Sequence, residues 1–357
     1  MATRVNPNAQ VLPPFFDESE REASMPSIPM QWTRLPDAPV KIRHTTAASM
    51  TGKGLTLFTG RRGLALQNDK WTVMPVMRSM PAQIEAIARI NNYQLFLFGK
   101  YSPWLSRVLK TKVFVYDLEK NTCVRLDKSR AGVSLPASHA QLPMSGGGLS
   151  VAPKFIGNKL FVFGDADPSL TVQELAVQRL SCGVATFDLT ARDKPFAYLR
   201  QLPLTSKPGP SARKQHFNTI LDEPTGKLYI VTQGEALQYT IFDPQTQTFS
   251  DTYLIGGEAR RRLDFSTGII RDVANVPHLI VYGGFTPGLV QDHIPDVDVL
   301  NLVTMQWKRA VFAPSAAAPA PRREAGACAT SPNSLAIFGG RNHFSENSDA
   351  WLLTFVS

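Results

Sequence analysis

Cations supply most of the side chains in this sequence that could do chemistry. Lys and Arg number 38 against 29 Asp and Glu, a formal charge of +9. They gather between apolar runs, at Arg61, Arg62, Arg107, Lys128, Arg130, Arg213, Lys214, Arg260, Arg261, Arg262, Arg322, Arg323 and Arg341. A guanidinium grips a carboxylate through two parallel hydrogen bonds. A basic rim favours an acidic partner through association rate and register. His139, His216, His293 and His343 fall in or near the same stretches, and Asp292, Asp296 and Glu324 offset part of the charge. Catalytic signatures are missing: there is no HExxH, no GxSxG and no P-loop. Ser145-Gly146-Gly147-Gly148 lacks the Lys-Ser/Thr that a phosphate loop needs. Nucleic acid is a weaker alternative, because the cations are dispersed without interleaved aromatics and only Arg260-Arg261-Arg262 is a tight cluster.

The elements that must position these residues show in a repeated apolar run that stops at glycine. Leu335-Ala336-Ile337-Phe338-Gly339-Gly340 is closely matched by Leu279-Ile280-Val281-Tyr282-Gly283-Gly284. Weaker copies end at Gly60, Gly99 and Gly164, and Leu228-Tyr229-Ile230-Val231 reaches Gly234 later. Aligning Phe58, Phe98, Phe163, Val231, Tyr282 and Phe338 gives gaps of 40, 65, 68, 51 and 56 residues. Repeats of about fifty residues built on such strands predict propeller blades. Each blade parses as four strands, among them Gly54–Thr59, Gly147–Ala152, Gln215–Leu221, Phe265–Arg271, Val297–Asn301, Glu324–Ala329, Ser334–Phe338 and Ala350–Phe355. Segment Ser169–Ser181 is expected to form a short helix.

The last blade lacks a fourth strand, while Gln31-Trp32-Thr33-Arg34-Leu35-Pro36 is a surplus strand before the first blade. Pairing that segment with Ala350–Phe355 supplies the missing strand and covers an open sheet edge. A closed, all-β, six-bladed β-propeller of four-stranded antiparallel blades follows, spanning residues 30–357. Residues 1–29 read as a flexible arm, with Val11, Leu12, Phe15 and Phe16 as a second partner contact. Tight turns join first to second strands, so the long segments emerge on the other face, where binding residues concentrate. Arg213 and Arg323 are expected to point at the central opening.

These residues resemble the kelch-repeat family of β-propellers. The resemblance rests on the paired glycines at 283–284 and 339–340, on Tyr116-Asp117 and Phe242-Asp243 at strand ends, and on Trp32, Trp71 and Trp307. Pro210-Ser211-Ala212-Arg213 matches its "Pro-x-x-Arg" lead-in to the inner strand, and Pro321-Arg322-Arg323 is a version one residue shorter. The family includes scaffolds, ubiquitin-ligase adaptors, actin binders and a few enzymes. Its copper oxidases require two tyrosines, two histidines and a cross-linked cysteine, a set not found here. Its six-bladed sialic-acid mutarotases rely on an acid beside an arginine near the channel, which Arg323-Glu324 and Arg271-Asp272 could imitate.

Cys123, Cys182 and Cys328 are odd in number and scattered, and read as reduced, buried small side chains. No apolar run approaches the about 18 residues of a membrane span, and the N-terminus lacks the apolar core of a signal peptide. The expectation is a cytoplasmic, non-enzymatic scaffold or complex subunit, without metal or cofactor, that docks an acidic peptide or protein surface on its basic long-loop face. The mutarotase is the alternative, and a nucleic-acid-associated subunit a further one.

Overall fold

Short runs of β-branched and aromatic residues, punctuated by Gly, Asn and Asp, favour strands joined by turns over helices. A computed structural model describes residues 26–42, 47–76, 79–81, 83–101, 110–125, 152–156, 159–165, 181–188, 196–203, 217–233, 237–250, 253–254, 262–286, 292–343 and 345–356. The first described strand is β1 (Ser27–Leu35). Next comes a meander of β2 (Ala47–Thr51), β3 (Gly54–Thr59), β4 (Arg62–Gln67) and β5 (Lys70–Val73). A second holds β6 (Gln83–Arg89), β7 (Gln94–Tyr101), β8 (Lys110–Asp117) and β9 (Thr122–Arg125). A third holds β10 (Ala152–Ile156), β11 (Lys159–Asp165), β12 (Ser181–Asp188) and β13 (Phe196–Pro203).

Beyond these lie β14 (Phe217–Asp222), β15 (Lys227–Gln233), β16 (Leu237–Asp243), β17 (Thr248–Phe249) and β18 (Tyr253–Leu254), the last two both pairing with β16. Then come β19 (Ser266–Arg271), β20 (Pro277–Tyr282), β21 (Val297–Asn301) and β22 (Trp307–Val311). The final strands are β23 (Gly326–Ser331), β24 (Ser334–Phe338) and β25 (Ala350–Phe355). The last two groups and β1 form one eight-stranded sheet in the order β19-β20-β21-β22-β1-β25-β24-β23.

The N-terminal strand joins that sheet in two ways. Met30 to Leu35 pairs antiparallel with Phe355 to Ala350, placing Trp32 opposite Leu353 and Arg34 opposite Trp351. Before that, Ser27 to Pro29 runs parallel to Arg309 to Val311. The expected match to Ala350–Phe355 is therefore present, and the pairing with β22 is an addition. Ser27, Ile28 and Pro29 belong to β1, which corrects the arm boundary at residue 29. Val11, Leu12, Phe15 and Phe16 lie outside the described residues, as does most of the expected helix, whose last residue, Ser181, opens β12.

First strands meet one another in sequence order. Contacts run from β2 to β6, β6 to β10, β10 to β14, β14 to β19 and β19 to β23, and β23 returns to β2. Apolar cores fill the spaces between successive sheets. Met30 and Trp32 alternate with exposed Gln31 and Thr33, as period-two burial requires. Both pack with Ile270, Ile280, Tyr282, Val297, Leu335, Ile337, Trp351 and Leu353. The Trp32 ring lies 5.3 Å from Tyr282, 5.9 Å from Phe312 and 6.5 Å from Trp351. Asx turns repeat between third and fourth strands. Asp117, Asp243 and Asn301 each accept two backbone N–H groups, and Asn121, Gln247 and Met305 follow with positive φ.

Because Trp32 packs on both flanking sheets, Trp32→Ala should cost about 3–5 kcal/mol in urea unfolding, with Thr33→Ala within about 0.5 kcal/mol of the parent. A Trp32→Ala cost below about 1 kcal/mol would contradict this packing.

Candidate functional site

Each paired glycine bends the chain so that the next lead-in segment lies directly against it. Gly283 and Gly284 have φ of 68° and 87°, and a Cβ on Gly283 would stand 2.6 Å from the Arg322 carbonyl oxygen. Glycine alone tolerates both conditions. Gly284 N–H donates to that carbonyl at 2.9 Å. The segment so placed begins with Arg322, and the arginine is 1% exposed. Its Nη1 donates to the Gly339 carbonyl at 2.9 Å and to Asp349 Oδ1 at 2.6 Å, while Nη2 donates to Asp349 Oδ2 at 2.8 Å. Burial alone would raise the Asp349 carboxyl, but Arg322 and the Trp351 indole N–H outweigh it and hold the group below the usual carboxylate range. Burial also pushes the Tyr282 hydroxyl up to about 12, so it stays protonated and donates to Ala320.

Arg262 repeats the device one meander earlier. It too is 1% exposed, donating to the Gly283 and Asp296 carbonyls and pairing with the buried Asp298 carboxylate. Arg262 and Arg322 both stand four residues before their first strands. Their expected role at an exposed partner surface is corrected: both fasten a first strand to the second and third strands of its own meander. Arg271 also turns inward, its Nη2 meeting both Asp222 oxygens at 2.8 and 3.0 Å. Burial opposes ionisation of Asp272, yet His278 and the N–H groups of Val276 and Ala274 hold its carboxyl low. Arg271-Asp272 is therefore a turn-stabilising arrangement between β19 and β20.

The next residue along, Arg323, does the opposite. Its backbone exchanges both hydrogen bonds with Arg341 at 2.9 Å, and its guanidinium lies 4.9 Å from the Phe285 ring centroid. Arg341 Nη2 donates to Glu324 Oε1 at 2.6 Å. Glu324 holds φ at 56°, a left-handed conformation that costs a non-glycine residue about 1–3 kcal/mol and recurs at functional positions. Its N–H donates to the Asp264 carbonyl at 2.8 Å, and Asp264 shares the unusual conformation at φ 55°. The sequence pairs Glu324 with its neighbour Arg323; the structure pairs it with Arg341.

His293 completes the cluster. A backbone bridge ties it to Phe285, and its ring stands edge-on to His343 with centroids 4.1 Å apart. Partial burial lowers its pKa first, followed by the cationic pressure of His343, Arg323 and Arg341, against a smaller opposing effect of Asp292. His293 Nε2, Arg341 Nε and Asn347 Nδ2 are buried without hydrogen-bond partners among the described residues. Such groups are costly unless a ligand or water satisfies them. The arrangement presents two arginines for an anion, a carboxylate, a neutral imidazole and an aromatic face.

Of the other expected site residues, Arg61 and Arg62 are exposed, with Arg61 Nη2 donating to the Met80 carbonyl at 3.3 Å and Arg62 opening β4. Arg107, Lys128, Arg130, Arg213, Lys214, Arg260 and Arg261 lie outside the described residues. Arg213 stands four residues before β14, the spacing of Arg262 and Arg322 rather than of Arg323. Cys123 is buried in β9, where burial pushes its thiol up to about 11; Cys328 in β23 is half-buried. Among the described residues, no helix is long and apolar enough to cross a membrane.

No protein-family model matches the sequence, and no curated protein does. Solved structures do resemble it. YjhT superposes with a TM-score of 0.60 at 16% identity, over 90% of this chain and 97% of its own. A protein of unknown function from Dyadobacter fermentans DSM 18053 gives 0.54 at 10% identity, over 91% and 98%. A fungal alcohol oxidase of the AA5 family, in complex with copper, gives 0.50 at 10% identity, over 87% and 62%. The fold is β-propeller-like. The expectation that the chain is not an enzyme is corrected: the fold is shared with an alcohol oxidase as well as with YjhT, so it does not set this chain apart from enzymes.

Arg322→Ala leaves the Asp349 carboxylate without its cation and should destabilise the fold by about 3–5 kcal/mol. The lowered Asp349 pKa makes its contribution complete above the unfolded value of about 3.9 and lost as pH falls through the folded one. Stability against pH, measured in urea, should therefore fall less steeply below about pH 4 in the variant. A parallel pair of curves would contradict the assignment.

Proposed function

We propose that this chain is a six-bladed, kelch-type propeller that interconverts the anomers of a reducing, carboxylate-bearing sugar of the sialic acid class. The Glu324–Arg341 pair beside Arg323, on the lead-in to first strand β23, carries the reading. The returning contact between β23 and β2 supports a closed ring of six, and the glycine spacing supports the kelch assignment. YjhT is a sialic acid mutarotase of the same fold, which favours this activity over a scaffold role.

The chemistry asks for little. Anomerisation opens a hemiketal ring and closes it on the opposite face of the carbonyl, with proton transfers but no oxidation. Arg323 and Arg341 suit a sugar carboxylate, since guanidinium groups bind it bidentately. Glu324, fixed by Arg341, accepts a hydrogen bond from a sugar hydroxyl and holds the ring in place for reaction. Phe285 gives the apolar face of a pyranose a surface to lie against. Docking of an acidic protein surface on exposed Arg61 and Arg62 is a separate, second reading.

NMR exchange spectroscopy on N-acetylneuraminic acid tests this. The full chain should accelerate anomerisation, and Glu324→Gln should reduce kcat by about 10²-fold. An unaccelerated rate with the folded parent protein would overturn the proposal.

A further inference from the structure

We infer that His293 is the group that moves the proton in this site, taking it from the anomeric hydroxyl and returning it to the ring oxygen. The inference deepens the mutarotase reading and rests on it. Nothing in the sequence separates His293 from the other histidines; the structure does, in three respects. First, its Nε2 is buried yet has no hydrogen-bond partner among the described residues, so a substrate hydroxyl would satisfy it. Second, its position is fixed. Phe285 bridges to it, Ile294 N–H donates to the Gly284 carbonyl at 3.0 Å, and Thr286 N–H donates to the Asp292 carbonyl at 3.0 Å. Third, partial burial and then its charged surroundings favour the neutral ring. Arg323 on the lead-in to β23, and Arg341 and His343 beyond β24, press on it as cations, with Asp292 of its own segment opposing them.

A neutral imidazole suits this reaction because both oxygens concerned sit on one carbon. Nε2 accepts the proton of the anomeric O–H, and that oxygen forms the carbonyl. The bond from the anomeric carbon to the ring oxygen breaks, and its electron pair goes to the ring oxygen. The imidazolium then gives the same proton to that oxygen, leaving an open-chain keto sugar with a new hydroxyl. Ring closure on the other face of the carbonyl runs the steps in reverse. No proton, electron or co-reactant is left over. Arg323 and Arg341 stabilise the anionic substrate and keep the imidazolium short-lived, so the proton is handed on. A glycoside has no anomeric O–H, so the site is restricted to free reducing sugars.

Anomerisation of N-acetylneuraminic acid by the full chain and by His293→Gln, followed by NMR exchange from pH 5 to 8, decides the matter. The parent rate should fall toward acid with a midpoint below the ordinary histidine value of about 6.5. His293→Gln should lose about 10²-fold in kcat with little change in KM, and should lose that acid limb. A second readout is the His293 imidazole signal, whose Nε2 shift should move when the sugar is added. An active parent with an unaltered His293→Gln rate and pH profile overturns this inference alone. A parent that accelerates nothing overturns the mutarotase reading and this one together.

Discussion

One strand placed between two sheets holds the architecture together. β1 gives hydrogen bonds to β25 along six residue pairs and to β22 along three, so two otherwise exposed sheet edges become interior positions. Unpaired edges invite association with other chains, and here the chain's own beginning covers them. Met30 and Trp32 then complete the core between β19–β22 and β23–β25. That core sets the separation of the last two meanders, and with it the meeting of β19 with β23. The candidate site lies across that junction, with His293 and Phe285 on one side and Arg323, Glu324 and Arg341 on the other.

A single residue step separates fold from function at this junction. Arg322 points into the sheet, bridging the Gly339 carbonyl to Asp349, whereas Arg323 points away over Phe285. Consecutive residues of extended chain face opposite directions, so one basic dipeptide supplies both a buried fastener and a guanidinium over the Phe285 ring. The paired glycines make this possible. Gly340, at φ 82°, has a Cβ position only 2.8 Å from the Arg323 carbonyl, so any larger residue would push the lead-in away from its sheet. A motif that looks like a strand terminator in sequence is thus also what brings Arg323 and Arg341 into backbone contact.

Much of the fold is legible in the sequence. Gly54–Thr59, Val297–Asn301, Ser334–Phe338 and Ala350–Phe355 are strands with the expected limits, and the surplus segment at Trp32 pairs where a missing strand required it. First strands are less legible. β19 and β23 begin at Ser266 and Gly326, later than Phe265 and Glu324, because Asp264 and Glu324 take a left-handed conformation that breaks the ladder. Nothing in an acidic residue's identity announces that. Of the expected Gly147–Ala152, Ala152 opens β10 and the rest lies outside the described residues. The basic residues are the least legible of all. Arg262 and Arg322 are committed to carboxylates 36 and 27 residues away, so charge content alone cannot distinguish them from Arg323 or Arg341.

The same long-range pairing explains why the sequence offers these residues singly and not as one cluster. Glu324 finds its partner after β24, and His293 meets His343 from a different meander. Each contact exists only once β1 has fixed the junction. Hydrogen exchange of the intact chain, followed by mass spectrometry, tests that dependence most directly. Amides of residues 30–35 should be protected as strongly as those of residues 350–355, both opening only with global unfolding. Fast exchange of residues 30–35 beside well-protected 334–338 would contradict the closure on which the site depends.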